Sequence, residues 1–249
     1  GQWDRLADSD RQRREFLANI SHDLRTPLTS LLGYLETLSL KDDRLTAQER
    51  KQYLNIALRQ GNKVRHLSQQ LFELARLEHG GIKPQPEKFI LAELIQDVAQ
   101  KFDLAIATRE IRLRLELASG LPLVEADLSM MERVLTNLLD NAIEATQRAE
   151  LPHEPVEVLI QLNARELMIE VADRGVGIRP DIRERIFERG VTTKTRGDHG
   201  IGLYLIEHYV TQAGGTIEVA DNAPRGTIFT LFIPADPPAH PQPETNDAS

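Results

Sequence analysis

A histidine lies on the polar face of the first predicted helix. Apolar residues recur every three or four positions between Phe16 and Leu38, which is the spacing of one face of an α-helix. His22 is two residues from both Ile20 and Leu24, so it points roughly 200° away from either of them. An exposed imidazole can act as a nucleophile. An ordinary surface histidine is the simpler interpretation of this residue taken alone.

Two asparagines are spaced for metal binding in MERVLTNLLDNAIEA, residues 131–145. Apolar residues at helical spacing, including Leu138 and Ala142, predict the buried face of this helix. Asn137 and Asn141 each come one position before these two residues, so they stack at i and i+4 beside the buried face. Two aligned side-chain oxygens can hold a hydrated Mg²⁺, which prefers oxygen ligands and keeps several waters. Two amides on a helix surface are the simpler alternative.

A predicted strand runs into a glycine loop in IEVADRGVGIRPD, residues 169–181. Asp173 ends the strand, while Gly175 and Gly177 let the backbone pass close to a ligand. A carboxylate held there can accept a hydrogen bond from an exocyclic amine such as that of adenine. An Asp-x-Gly sequence is also common in plain turns.

A second glycine segment, GVTTKTRGDHGIGLYLI at residues 190–206, leads into a predicted helix. Gly200 and Gly202 lie at the helix start, where freed backbone N–H groups and the helix dipole form a phosphate site. Residues 188–199, with Lys194 and Arg196, are predicted to form a mobile lid. The alternative is an ordinary surface loop.

The composition narrows the class of protein. With 249 residues, 41% hydrophobic and 27% charged, the chain can form one large or two ordinary domains and is not wholly disordered. The net charge of −8 without a basic block argues against a nucleic-acid partner. The absence of cysteine excludes disulfides and thiolate metal sites and fits a reducing compartment. We find no signal peptide and no apolar run of about 18 residues, and expect a fragment of a longer protein.

The elements that position these residues form two predicted domains. Residues 1–78 read as two long helices joined by a turn at 41–46. Each helix carries a narrow apolar stripe, and the short turn predicts that the two helices pack as an antiparallel hairpin. A single hairpin leaves half of this apolar surface in water, so we predict that two hairpins pair into a four-helix bundle, which makes the protein a homodimer. Pro27 lies inside the first helix and should bend it next to His22.

The remainder is predicted as a linker at residues 79–88, a mixed α/β domain at 89–235 and a disordered tail at 236–249. Alternating and three-to-four patterns within the domain predict its elements. The predicted helices are 91–108, 127–147 and 201–213, and the predicted strands are 111–115, 156–162, 167–171, 215–220 and 226–233. The fold class is therefore α+β.

Five motifs in this order resemble a two-component sensor histidine kinase across residues 10–235. SHDLRTPL, residues 21–28, matches the phosphoacceptor box. NLLDNA (137–142) matches the N box, DRGVGI (173–178) the first glycine box, RIFERG (185–190) the F box, and HGIGL (199–203) the second glycine box. The resemblance implies a helical phosphotransfer domain followed by an ATP-binding α/β sandwich of the Bergerat type.

The resemblance also assigns roles. It implies that His22 accepts the γ-phosphoryl group of ATP and passes it to an aspartate of a response regulator. Asp23 would hold the imidazole, and Thr26 would orient water for a reverse, phosphatase reaction. The implied nucleotide and Mg²⁺ site comprises Asn137 and Asn141 for the metal, Asp173 for adenine, Phe187 as the lid anchor, and Gly175, Gly177, Lys194, Arg196, Gly200, Gly202 and Leu203. A sensor and transmembrane region absent here would place this part on the cytoplasmic side of a bacterial inner membrane.

The sequence departs from the family pattern in three ways. Glu144 stands where a basic residue is frequent, Val191 and Thr192 replace a common Tyr-Arg pair, and Asp198 replaces a glycine. Lys194 and Arg196 are the candidates for the lost phosphate contact. VTTK and HGIGLYLI resemble the citrate and dicarboxylate sensor kinases, whose phosphoacceptor box usually differs. We therefore expect a natural or engineered mosaic with a junction near the N box.

Two other functions fit parts of the same pattern. A Bergerat-type ATP hydrolase would carry a water-activating Glu at the position of Asn137, so the asparagine favours transfer to His22. A non-enzymatic signalling scaffold would fit Glu144 and the altered lid, but both asparagines and both glycine boxes are intact.

Overall fold

The computed structural model describes residues 2–41, 44–78, 83–109, 111–149, 155–163, 166–191 and 200–235. The predicted tail at 236–249 and the first part of the predicted linker, 79–82, lie outside these residues. Contacts divide the chain into two compact units. One comprises Gly1–Ile82 with Arg185–Tyr204, and the other comprises Lys83–Glu184 with Leu205–Ser249.

The first unit contains the predicted helical hairpin. Helix α1 (Gln2–Leu40) packs along α2 (Ala47–Glu78). A capping box starts α2, because Thr46 N donates to the Glu49 carboxylate at 2.9 Å while Thr46 Oγ1 accepts from Glu49 N at 3.2 Å. Helix α1 continues through Pro27.

The hairpin leaves much of its apolar surface uncovered. From residue 18 onward, where the structure describes its side chains, the buried apolar ones are Ile20, Ala57, Leu67 and Leu74. Six large apolar residues are 44–65% exposed, namely Leu28, Leu32, Leu35, Leu54, Leu58 and Phe72. A single hairpin therefore cannot bury both of its stripes.

The second unit is built on a five-stranded mixed sheet in the order β2-β4-β5-β7-β6. Strand β2 (Arg112–Leu117) runs parallel to β4 (Pro155–Asn163), and the other neighbours are antiparallel. The other strands are β5 (Glu166–Asp173), β6 (Thr216–Asp221) and β7 (Thr227–Pro234). In β5 and β7 every second residue is buried, as expected when helices cover one face of a sheet.

Helices form the second layer of this fold. They are α3 (Leu91–Lys101), α4 (Asp103–Arg109), α5 (Leu128–Arg148), the short α6 (Pro180–Arg183) and α7 (Gly202–Gln212). Helix α5 packs on β4 and β5 and against α3. The predicted α+β class, a hairpin followed by an α/β sandwich, is confirmed.

Two expectations about local structure need correction. The predicted helix at 91–108 is two helices, because α3 ends at its cap residue Phe102. The predicted linker at 79–88 ends in strand β1 (Pro86–Phe89), which pairs antiparallel with the equally unpredicted β3 (Val124–Asp127). Both strands are four residues long, too short to show an alternating pattern, and their pairing depends on contacts distant in sequence.

No helix within the described ranges is both long enough and apolar enough to cross a membrane.

Candidate functional site

The predicted phosphoacceptor is exposed as expected. The His22 side chain is 75% exposed, and its Nδ1 lies 3.1 Å from Asp23 Oδ1. Ile20, two residues away, is buried, so the two side chains lie on different faces of α1. This arrangement suits the tautomer in which Nδ1–H donates to the carboxylate and the Nε2 lone pair faces outward.

Thr26 lies one turn beyond His22 on the same helix. Its Oγ1 donates a hydrogen bond to the His22 carbonyl oxygen at 3.2 Å. The side chain is exposed, so the oxygen lone pairs remain on the outer face of the helix. His22, Asp23 and Thr26 thus form one polar surface on α1.

Helix α5 positions the two asparagines. Asp127 caps the helix, because its Oδ1 accepts from Met130 N at 3.1 Å. Asn137 and Asn141 are half-buried beside the fully buried Leu138 and Ala142. At about 1.5 Å rise per residue, the two amides lie about 6 Å apart along the helix axis.

Asp173 and the first glycine loop pack directly on α5. The Gly175 N–H donates to Asp173 Oδ1 at 2.7 Å. A Cβ added at Gly175 would overlap the main-chain carbonyl of Ala145, so no larger residue fits there. Ala145 is one turn after Asn141, and the loop therefore approaches the end of the row formed by the two asparagines.

The Asp173 carboxyl has an unusual environment. The residue is 3% exposed, and burial raises its pKa to about 6, against the opposing effect of hydrogen bonds from the backbone N–H groups of Gly175 and Thr227. A carboxyl kept from water and fixed by two backbone donors is a rigid acceptor. Such a group can recognise one specific donor on a ligand.

The second glycine box starts α7. Gly190 N donates to the Gly200 carbonyl oxygen at 3.2 Å. Gly200 has a φ of +61°, and an added Cβ would overlap the main chain of Val191. The start of the predicted lid therefore meets the residue that follows it, and this close approach requires glycine at position 200.

The structure describes some of the other residues predicted for the phosphate site and its lid. Phe187, Gly202 and Leu203 are half-buried. Lys194 and Arg196 lie outside the described residues, so their predicted phosphate contact remains a prediction.

Sequence reasoning missed two neighbours of Asp173. Thr227 is opposite Asp173 in the pairing of β5 with β7, and its N–H donates to the carboxylate. Asn222 Nδ2 donates to the Asp173 carbonyl oxygen at 2.8 Å. Both residues are about 50 positions away from Asp173 in the chain, and only the register of the strands brings them together. The Gly-Thr pair at the start of a predicted strand was the available signal.

The described residues contain no group of three or more His, Cys, Asp or Glu side chains suited to a metal ion. Mg²⁺ sites often use only one or two protein oxygens and complete their coordination with water and ligand phosphates.

An exposed histidine on a helical hairpin, and a buried aspartate that runs into a glycine loop in an α/β sandwich, are the features expected of a nucleotide-dependent phosphotransfer protein. Residues 126–237 match the family described as histidine kinase-, DNA gyrase B-, and HSP90-like ATPase. Residues 12–80 match the His kinase A (phospho-acceptor) domain.

A curated relative shows strong local similarity. The chain is 52% identical over 101 residues to the sensor histidine kinase CitA of Klebsiella pneumoniae. The aligned residues make up 41% of this chain but only 18% of CitA. The resemblance to a citrate-type sensor kinase is thus confirmed, and the chain spans a small part of that relative's length.

Solved structures agree with the family matches. The catalytic domain of histidine kinase ThkA is 30% identical, with a TM-score of 0.54 over 61% of this chain and 96% of that domain. ThkA in complex with the response regulator TrrA is 26% identical, with a TM-score of 0.66 over 93% of this chain and 66% of ThkA. Full-length ShkA in complex with AMPPNP is 26% identical, with a TM-score of 0.62 over 90% of this chain and 47% of ShkA. The chain belongs to the histidine kinases.

Proposed function

We propose that this chain is the core of a sensor histidine kinase, which transfers the γ-phosphoryl group of ATP to His22 and then to an aspartate on a response regulator. The exposed imidazole beside Asp23 is the observation that carries the proposal. Histidines with a structural role are usually less exposed and bonded to distant parts of the fold.

The nucleotide site is assigned to the first glycine box and to the two asparagines of α5. Asp173 accepts a hydrogen bond from the exocyclic amine of adenine, and Gly175 and Gly177 let the backbone approach the ring. Asn137 and Asn141 would hold Mg²⁺, which neutralises phosphate charge when bound. Their amide oxygens fit this ion because they are spaced along one ridge of α5. The AMPPNP bound to ShkA supports ATP as the ligand.

The γ-phosphate contacts are assigned to the lid and to the start of α7. Gly200 and Gly202 leave backbone N–H groups free for phosphate oxygens. Leu203 begins the helix behind them, and Phe187 anchors the lid. Lys194 and Arg196 replace the basic contact that Glu144 cannot make.

The chemical step at His22 follows from its geometry. The Nε2 lone pair attacks the γ-phosphorus, a P–N bond forms, and the bond to the β–γ bridging oxygen breaks to release ADP. Asp23 accepts the Nδ1–H hydrogen bond, which holds the ring and stabilises its developing positive charge. Positioning and charge neutralisation supply most of the rate enhancement in phosphoryl transfer.

Two partners follow from the hairpin. The exposed leucines and Phe72 are assigned to a second copy of the chain, because two hairpins can bury both stripes in a four-helix bundle. The receiver domain of a response regulator is assigned to the surface around His22, as the ThkA complex with TrrA supports.

Thr26 is assigned to the reverse reaction. Its exposed oxygen can hold a water in line with a phosphoryl group on a docked regulator, which gives phosphatase activity. The full protein is placed in a bacterial inner membrane by a sensor region outside this chain, with this part on the cytoplasmic side.

The test uses γ-labelled ATP and two matched histidine variants. His22→Gln should abolish labelling, since the nucleophile is lost. His66→Gln, at an exposed histidine on α2 of the same hairpin, should label like the wild-type protein. Retained labelling of His22→Gln would remove His22 as the acceptor.

A further inference from the structure

The turn between β6 and β7 is hydrogen-bonded to the segment that carries Asp173. Asn222 lies at the start of this turn, residues 222–226, and its side-chain amide donates to the Asp173 carbonyl oxygen at 2.8 Å. Arg174 Nη1 donates to the Ala223 carbonyl oxygen at 3.0 Å. Two side-chain contacts in opposite directions thus join the turn to two consecutive residues of the glycine loop.

The backbone at the end of the turn is equally close. An added Cβ at Gly226 would overlap the Asp173 carbonyl oxygen, and Gly226 itself has a φ of +126°. Asn222 N donates to the Gly226 carbonyl oxygen at 3.1 Å, which closes the turn. The turn is therefore a compact loop whose two ends both touch Asp173.

A third connection reaches the far end of the glycine loop. Asp221, just before the turn, forms an ion pair with Arg183 of α6. Asp173 and Arg183 delimit the stretch that contains Gly175 and Gly177, so the strand end and turn at 221–226 brace both ends of this stretch.

We propose that Asn222 is a positioning residue for Asp173 and thereby sets the preference for adenine over purines without an exocyclic amine. The inference rests on the proposed adenine role of Asp173. Carboxylate Oδ1 is fixed by Gly175 N–H, which leaves the position of the main chain at Asp173 to decide where the carboxylate meets the base. Asn222 holds that main chain through its side-chain amide. Without the Asn222 amide, the Asp173 carboxylate is still present but is held less precisely in the position that meets the base.

The test measures binding of ADP and of purine riboside diphosphate, which differs only by lacking the exocyclic amine. Both are titrated calorimetrically into the full chain, so no turnover occurs. The wild-type protein should prefer ADP. Asn222→Ala should lose about threefold to tenfold of that preference, the range of one net hydrogen bond, while its affinity for the purine riboside diphosphate changes little.

Two further variants separate positioning from general damage. Asn222→Asp keeps the shape but removes the donor, and it should lose the preference like Asn222→Ala. Asn62→Ala removes the same amide from an exposed site on α2 and should keep the preference. A loss of folded protein would weaken the binding of both nucleotides equally, so the ratio of the two affinities reports the positioning of Asp173 alone.

The outcomes are distinct. An unchanged ratio in folded Asn222→Ala or Asn222→Asp overturns the proposal. A wild-type protein that binds both nucleotides equally overturns the role of Asp173 and this inference with it. The expected loss of preference, in a protein that fails to label His22, supports the inference and refutes only the kinase assignment.

Discussion

Replacing Asp173 by asparagine should stabilise the nucleotide-free protein while it weakens nucleotide binding. Burial raises the pKa of this carboxyl from 3.8 to about 6. The folded state therefore binds more protons than the unfolded state between these values, and stability falls as the pH rises through that window. Above this pH window the buried carboxylate is ionised, and the full free-energy cost of burying its charge lowers the stability of the folded state.

The size of the effect follows from the two pKa values. At roughly 1.4 kcal/mol for each tenfold change in proton affinity, the rise to about 6 corresponds to about 3 kcal/mol near neutral pH. The same linkage gives about half of this at pH 5. The asparagine side chain in Asp173→Asn would keep an acceptor for the Gly175 N–H but lose part of the bond from Thr227, so a net gain of about 1–3 kcal/mol is expected.

Urea denaturation of the nucleotide-free wild-type and Asp173→Asn proteins at about pH 7.5, 6 and 5 measures this gain, provided that the slopes match. The gain should shrink as the pH falls. Asp181→Asn removes an exposed carboxylate from α6 and serves as the control with little effect. A destabilised Asp173→Asn protein, or a gain that does not depend on pH, would refute the reasoning.

Three further predictions test the assigned roles. Asp173→Asn should also lose about tenfold or more in ADP affinity, the cost of a charged hydrogen bond; calorimetry with wild-type affinity would count against adenine recognition. Asn141→Ala should lose Mg²⁺-dependent labelling, whereas the exposed Asn55→Ala should not, and equal magnesium titrations of the two would disprove the metal role. Thr26→Ala should keep autophosphorylation and slow dephosphorylation of the phospho-regulator; a parallel loss of both rates would instead indicate damage to α1 near Pro27.

The sequence predicted the long, periodic elements well and the short ones poorly. Helices α1, α2 and α5 span several turns, so their apolar stripes are unambiguous. Strands β1 and β3 have four residues each, and such short segments acquire their structure from pairing. The break at Phe102 was missed because the apolar spacing continues across it.

The sequence likewise predicted the site residues that are close together in the chain and missed those that are distant. Asp173 and its glycines were found because they are neighbours in the chain. Asn222 and Thr227 were missed because the register of β5, β6 and β7 brings them to Asp173. Burial of the carboxyl, which raises its pKa, is likewise a property of packing and is not visible in a local motif.

The most direct test of the central claim is the chemical stability of the phosphorylated chain. The wild-type protein is incubated with γ-labelled ATP and Mg²⁺, denatured, and treated with acid or base. A phosphoryl group on an imidazole nitrogen should be lost in acid and survive in base, and peptide mapping of the base-treated sample should place it at His22. A label that survives acid, or that maps to another residue, would contradict the assignment of this chain as a kinase that phosphorylates His22.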